Sequence, residues 1–209
     1  MSDDELIKEK IFSVCRDRFL SEGFAKISVD EISTDLAISK KTFYKYFASK
    51  EDLVQQIMER FMADVRRKIE GTLFSEKSAI EKLSDIITLI GTNVSRLLPA
   101  FGQDIKRRTP HLWKHIEDFR RQRISEVIGR LIKQGIDEGT MRPEMNTRVF
   151  LMSILSSIDR IMQPQVLAEE SFSVNDALEE ILSIFFQGAL TTMGKEHFNQ
   201  LHQTQHKVM

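Results

Sequence analysis

SVDEISTDLAISKKTFYKYFASKEDL, residues 28–53, is the stretch on which the fold turns. Ser28 stands where an N-cap belongs, and Glu31 three residues later completes a capping-box pattern. Val29, Ile32 and Leu36 follow at helical spacing, which places them on one buried face. Ala37 and Ile38 then make a turn. Ser39 offers a second N-cap hydroxyl, ahead of a helix whose apolar side is Phe43 and Phe47. Ser49 offers a third, before Lys50-Glu51-Asp52-Leu53, with acids in the first turn where the helix dipole favours them. Two short helices, a tight turn and the start of a third helix are the layout of a helix-turn-helix, whose second helix enters a major groove.

The charges agree. Lys40, Lys41, Lys45 and Lys50 lie between Ser39 and Lys50 with no acid among them. Thr42, Tyr44 and Tyr46 are interleaved, and their hydroxyls can reach phosphates or bases without adding charge. A charge run by itself is more often a solvated face. Here it coincides with three caps and two short apolar faces at matching separations, and the combination points to DNA.

Residues 27–53 resemble the DNA-binding signature of the tetracycline-repressor (TetR/AcrR) family of bacterial transcription regulators. The resemblance is carried by Ser39-Lys40-Lys41-Thr42-Phe43-Tyr44-Lys45-Tyr46-Phe47 and by Ser49-Lys50-Glu51-Asp52-Leu53. The helix from Leu6 to Phe19, leading to Gly23-Phe24, also fits. The strong part covers about a quarter of the chain, and the remainder matches the family only in length and helical layout. Ala37 stands where the family usually has a turn glycine, and Lys41 where a small residue is common. The resemblance implies phosphate contacts from Ser28, Thr42, Tyr44, Lys45 and Lys50. Lys40, Lys41 and Thr42 open the recognition helix nearest the base edges, and Ser39 at its N-cap completes the expected DNA-binding set.

With 209 residues, 41% of them apolar and 29% charged, the chain can bury a core within one larger or two small domains. The net charge of −1 means that any DNA affinity comes from a local patch. The acidic start, Met1-Ser2-Asp3-Asp4-Glu5, is unlike a signal peptide, and no apolar run approaches the ~18 residues of a membrane span. A cytoplasmic protein without membrane contact is expected. Cys15, the single cysteine, falls on the apolar face of the first helix (residues 6–21) with Leu6, Ile7, Ile11, Val14 and Phe19, and is expected to be core.

After Lys50 the pattern is helical throughout, so the fold class is all-α. A helix-turn-helix domain over 1–50 is expected before a larger helical ligand-binding and dimerisation domain over 51–195 and a polar, fraying tail over 196–209. A long helix runs from Lys50 to about Phe74. Ser78 caps another, Pro99 interrupts it, a short helix spans about 100–108, and Thr109-Pro110 open a helix to about 138 that Gly139 and Pro143 terminate. The stretches of about 147–162 and 174–193 are apolar over far more than the ~100° arc of a surface helix. They are expected to pack as a four-helix bundle with a second copy, through Leu155, Ile158, Leu178, Ile181, Leu182, Phe185 and Ala189; the plainer alternative is a pair of central core helices.

The family resemblance also implies an inducer pocket among the later helices. Its candidate walls are Phe61, Val65, Ile86, Ile90, Phe101, Trp113, Ile116, Phe119 and Met152, although an apolar residue at such a spacing is more often plain core. His111 and His115 have a metal-ligand spacing, but no HExxH accompanies them, and neither a metal nor a cofactor is expected. No catalytic spacing of nucleophile and base stands out, so an enzyme is not expected. The reading is a homodimeric regulator that binds a double-stranded operator and is released by a small-molecule effector. The alternative is an architectural DNA-binding protein whose later helices only dimerise.

Overall fold

The computed structural model describes residues 3–94 and 101–205. Its helices are α1 (Asp3–Glu22), α2 (Val29–Asp35), α3 (Lys40–Tyr46), α4 (Lys50–Leu73), α5 (Ala79–Val94), α6 (Gln103–Arg108), α7 (Pro110–Asp137), α8 (Thr147–Ile161), α9 (Pro164–Glu169), α10 (Val174–Ala189) and α11 (Thr192–Gln205). Among the described residues there is no strand, and Met141 and Leu190 form an isolated antiparallel bridge. The fold is the expected all-α class, with a helix-turn-helix followed by a larger helical region. The interruption expected at Pro99 lies outside the described residues.

The described chain divides into two compact units, one of residues 3–65 with 101–116, the other of 66–94 with 117–205. This differs from the expected cut after residue 50. The first part of α4 stays with the helix-turn-helix because Leu53, Val54, Ile57 and Met58 are buried. Residues 101–116 return to it because Phe101 stacks on Phe19 at 6.4 Å and meets Phe24 edge-on at 5.9 Å. Phe101 is therefore core of the first unit and not a wall of a pocket among the later helices. Cys15 is buried as expected, and burial pushes its thiol up to about 12, far from reactive.

Within the first unit the caps form as the sequence predicts. Ser28 Oγ accepts from Glu31 N at 3.1 Å while Glu31 accepts from Ser28 N, a capping box that holds the Glu31 carboxyl below its usual range. Ser39 Oγ accepts from Thr42 N, and Ser49 Oγ from Asp52 N, each at 3.0 Å. Phe43 and Phe47, fully buried, face each other at 5.7 Å and anchor α3. Each contributes about 1.5–3 kcal/mol by leaving water. Leu6, expected on the buried face of α1, is half exposed in its first turns.

The turn between α2 and α3 closes with Ile38 N donating to Ser33 O at 2.9 Å and Ala37 N to Thr34 O at 3.1 Å. That pair of bonds is a Schellman motif, which needs a left-handed residue after the C-cap. Ala37 supplies it at φ 52°, and among the described residues no other non-glycine has positive φ. Ahead of α2, the loop from Gly23 (φ 82°) to Ile27 is held from two sides. Ala25 N donates to Asp104 of α6 at 2.8 Å, and Lys50 Nζ donates to Phe24 O and Ile27 O at 2.9 and 2.8 Å.

The second unit packs α10 against α5 and α8, with α11 also on α5. Ser78 and Glu81 cap α5, and Glu138 at the end of α7 accepts from Ala79 N at 3.0 Å. The buried Lys82 is satisfied by Gln134 Oε1 at 3.0 Å. Gly139, at φ 72°, turns the chain so that Arg142 N donates to Ala189 O and Thr191 N to Thr140 O, both at 3.0 Å. A Cβ on Gly194 would lie 2.1 Å from Thr140 O, so this clasp needs glycine there. The tail expected to fray is helical through Gln205. Its Phe198 is buried, and Thr191 Oγ1 accepts from Gly194 N at 3.2 Å to start it.

Two stability effects are expected. Ala37→Gly relieves a left-handed Cβ and stabilises by about 1 kcal/mol, raising the melting temperature by about 2–4 °C for a chain of this length; a lower melting temperature would contradict the strain. Lys50→Met leaves two carbonyls without their donor and lowers the unfolding free energy by about 1 kcal/mol, because water reaches this half-buried site. Lys41→Met, measured alongside in urea, stays within about 0.5 kcal/mol of the parent.

Candidate nucleic-acid interface

α3 is short and two-faced. Phe43 is fully buried, while Lys40, Lys41, Tyr44 and Lys45 are exposed. The Tyr44 ring stands edge-on to Phe43 at 5.4 Å, which orients its hydroxyl end away from the core. Local sequence does this work: apolar residues four apart turn one stripe inward, and the intervening lysines and tyrosine occupy the rest of the circumference. The result is a cationic ridge with hydrogen-bonding tips, carried on a core-anchored helix.

The expected contact residues do not all present free groups on that ridge. Ser39 Oγ and Thr42 Oγ1 lie 2.9 Å apart, so these two hydroxyls engage each other as well as the helix cap. Ser28 spends its hydroxyl on Glu31, to which it donates at 2.8 Å. Lys40 is ion-paired with Asp30 of α2, a hydrogen bond that raises its pKa. Lys45 Nζ donates to both oxygens of Asp4 on α1 at 2.7 Å. Lys50 departs furthest from the expectation. Its ammonium points into the Phe24–Ile27 loop and lies 5.6 Å from the Phe24 ring centre, and loss of solvent lowers its pKa. It is a strut that positions α2, rather than part of the exposed ridge.

The Tyr46 hydroxyl, which the sequence offers to phosphates or bases, donates to Asp4 Oδ1 at 2.8 Å. The signal that could have found this is the acidic cluster Asp3-Asp4-Glu5 at the chain's start, facing a helix otherwise devoid of acids.

The candidate pocket residues are divided. Phe61, Val65, Phe101, Trp113 and Ile116 belong to the first unit, and Ile86, Ile90, Phe119 and Met152 to the second. Val65, Ile86 and Trp113 are buried, and Lys106 lies 5.8 Å from the Trp113 ring centre. Phe119, half buried, has the Arg123 guanidinium 5.9 Å from its ring. Met152 is 61% exposed, and so it walls no interior space within the chain. Phe61 lines an open groove of about 320 Å³ between α1 and α4, where Arg60 covers Phe12 at 3.9 Å and grips Glu9 with two hydrogen bonds. His111 and His115 are both exposed.

The residues expected at a dimer interface also sort themselves. Ile158, Leu178, Ile181, Leu182 and Ala189 are buried within the single chain, where α10 meets α5 and α8. Leu155 and Phe185 are half buried, and Phe185 packs edge-on against Phe150 at 5.9 Å. The apolar side chains left outward on these helices are Val149, Met152 and Ile184. α8 and α10 are amphipathic rather than apolar nearly all round, with Arg148, Ser156 and Arg160 exposed on the one and Asp176, Glu179, Glu180 and Gln187 on the other, and the stripe named for the interface is the one the chain uses for itself.

Comparison with known proteins agrees with the α1–α4 geometry. Residues 11–57 match the family described as bacterial regulatory proteins, tetR family. The uncharacterised HTH-type transcriptional regulator YvaF of Bacillus subtilis is 23% identical over 180 residues, covering 82% of this chain and 93% of that protein. A transcriptional regulator from Cytophaga hutchinsonii has the same fold, with a TM-score of 0.72 at 20% identity over 90% of this chain and all of that one. A regulator from Saccharomonospora viridis, solved in complex with choline, superposes with a TM-score of 0.67 at 15% identity over 88% of this chain and 97% of its own. The matched segment contains the capped turn at Ala37 and the whole lysine-bearing α3. Over residues 11–57 this chain thus carries a segment that matches the tetR family of bacterial regulatory proteins, on a fold that it shares with solved transcriptional regulators.

Proposed function

We propose that the chain acts as a homodimeric repressor, each subunit laying α3 in the major groove of one operator half-site, and that a small molecule bound among the later helices releases it. The observation that carries this is α3 itself: a cationic outer face of Lys40, Lys41, Tyr44 and Lys45, backed by a fully buried Phe43. Lys41 and Lys40, at the start of the helix, meet base edges, while Tyr44 and Lys45 meet phosphates. Ser28, Ser39 and Thr42 contribute through the caps that orient α2 and α3. The choline-bound neighbour supports a small-molecule effector. α4 has residues in both units, so an effector that displaces its later turns acts on Lys50 and hence on the loop that holds α2.

Dimerisation falls to the outward apolar residues Val149, Met152 and Ile184, bordered by Leu155 and Phe185. Ser156 and Gly188 are exposed on the same helices and small enough for close approach. Two helices from each subunit then form a four-helix bundle about a twofold axis.

Titration of a labelled duplex at increasing salt tests the DNA contact. Lys40, Lys41 and Lys45 of two subunits bring about six cations against the duplex, at base edges and phosphates alike, and displace about as many counterions, hence a log–log slope of roughly −5, and Lys41→Ala reduces its magnitude by roughly 2. A slope near −1 would remove α3 from the contact. For the interface, Met152→Glu and Ile184→Glu are expected to give folded monomers by sedimentation and circular dichroism. Leu182→Glu instead buries an unpaired charge in the subunit's own core and unfolds the second unit, costing about 3–5 kcal/mol. Dimers that persist with both outward glutamates would place the interface elsewhere.

A further inference from the structure

The first turn of α1 reaches across to the last turn of α3. Asp4 accepts two hydrogen bonds from Lys45 Nζ, both at 2.7 Å, and one from Tyr46 Oη at 2.8 Å. The three bonds hold the Asp4 carboxyl below its usual range, the Lys45 contact contributing most, and they raise the Lys45 pKa. The side chains of Asp4 and Lys45 are 60% and 55% exposed, so the contact is open to solvent and to any competing anion. An ammonium and a phenol hydroxyl converging on one oxyanion are the donor set that a phosphodiester group would use. A carboxylate presents two oxygens to such donors much as a phosphodiester does.

We propose that Lys45 Nζ and Tyr46 Oη form a phosphate seat that Asp4 occupies in the DNA-free protein, so that the N-terminal helix competes with DNA for the recognition helix. The proposal rests on the DNA-binding role of α3 set out above. On binding, a phosphodiester displaces Asp4, and the freed carboxylate is left beside the phosphate. Two unit charges about 7 Å apart in water repel enough to weaken binding by about three-fold per subunit, or about ten-fold for a dimer. Salt screens such a repulsion within a Debye length of about 8–10 Å, so the effect belongs to low ionic strength. The Asp4 latch thus suppresses loose, non-specific association most, since that association rests on phosphate contacts alone. A full operator adds base contacts on Lys40 and Lys41 that the latch does not oppose. It is a device for sharpening discrimination between operator and bulk DNA.

The test uses the full chain and a fluorescein-labelled, mixed-sequence duplex of about 40 base pairs, titrated at about 50 and 200 mM salt. Asp4→Asn is expected to bind about ten-fold more tightly at the lower salt, with the gain falling to about three-fold or less at the higher. Asp3→Asn removes the same charge one residue away and is expected to change affinity by less than about two-fold. In a Lys45→Gln background, Asp4→Asn is expected to give no gain, a coupling that a merely structural Asp4 would not show. Equal effects of the Asp3 and Asp4 changes, or an Asp4 gain that survives Lys45→Gln, would overturn the latch. If the parent binds the duplex with a steep salt slope but Asp4→Asn matches it, the latch fails and the DNA-binding role stands. If the parent shows no salt-dependent binding, both fall. Melting curves of each variant separate a loss of affinity from a loss of fold.

Discussion

The node on which the DNA-binding unit depends is Phe24. Its ring lies against Phe19 at 6.1 Å and Phe101 at 5.9 Å, with the Lys50 ammonium 5.6 Å from its centre and its carbonyl accepting from that same ammonium. Gly23 makes this possible by turning the chain at φ 82° directly after α1. Through Phe24, helices α1, α4 and the chain at residue 101 are joined to the short loop that leads into α2. Holding that loop fixes Ser28, and Ser28 caps α2. A seven-residue helix has little stability of its own, since nucleation is costly and few bonds follow it. The placement of α2 and α3 therefore comes from packing around this node, with the caps setting where each helix begins.

Charge follows a similar economy. The chain as a whole is nearly neutral, and the cations of α3 are not left idle. Lys40 is held by Asp30 and Lys45 by Asp4, both on neighbouring helices of the same unit. Exposed ion pairs of this kind contribute little to stability. Their weight lies in setting which way the side chains point and which anions must be displaced before another can bind. Arg18 makes a comparable bridge from α1 to Asp35 of α2 and to Glu22, so α1 serves as a charged backrest for both short helices.

In the second unit the governing constraint is area. α8 and α10 carry more apolar surface than one neighbour can cover, and the chain resolves this by dividing it. Leu178, Ile181, Leu182 and Phe186 go inward against α5 and α8, and Phe150 meets Phe186 at 5.4 Å. Val149, Met152 and Ile184 remain outside. Arg120 and Arg121 clamp Asp159, half buried at 18% exposure, and tie α7 to α8. The Thr140–Arg142 clasp onto Ala189–Thr191 then fixes the end of α10, and Gly194 is the residue whose missing side chain lets the two strands of chain approach.

Much of this was legible in the sequence because it is local. A serine three residues ahead of a glutamate, apolar residues at steps of three and four, and a turn with no spare residue between Ser28 and Ser39 determine the helices, the caps and the positive φ of Ala37. The helix α3 and the resemblance to the tetR family could be read from the same stretch. What the tertiary structure alone decided is where long side chains and wide apolar faces go. A lysine four methylenes long can reach a phosphate or a backbone carbonyl with equal ease; only the position of Phe24 and Ile27 turned Lys50 inward. Asp4 meets Lys45 across 41 residues, a separation to which no periodicity is sensitive. A helix with apolar residues on more than one side announces burial but not direction, so Leu182 and Ile184, two residues apart, could be sorted into core and surface only by the neighbours that α10 found.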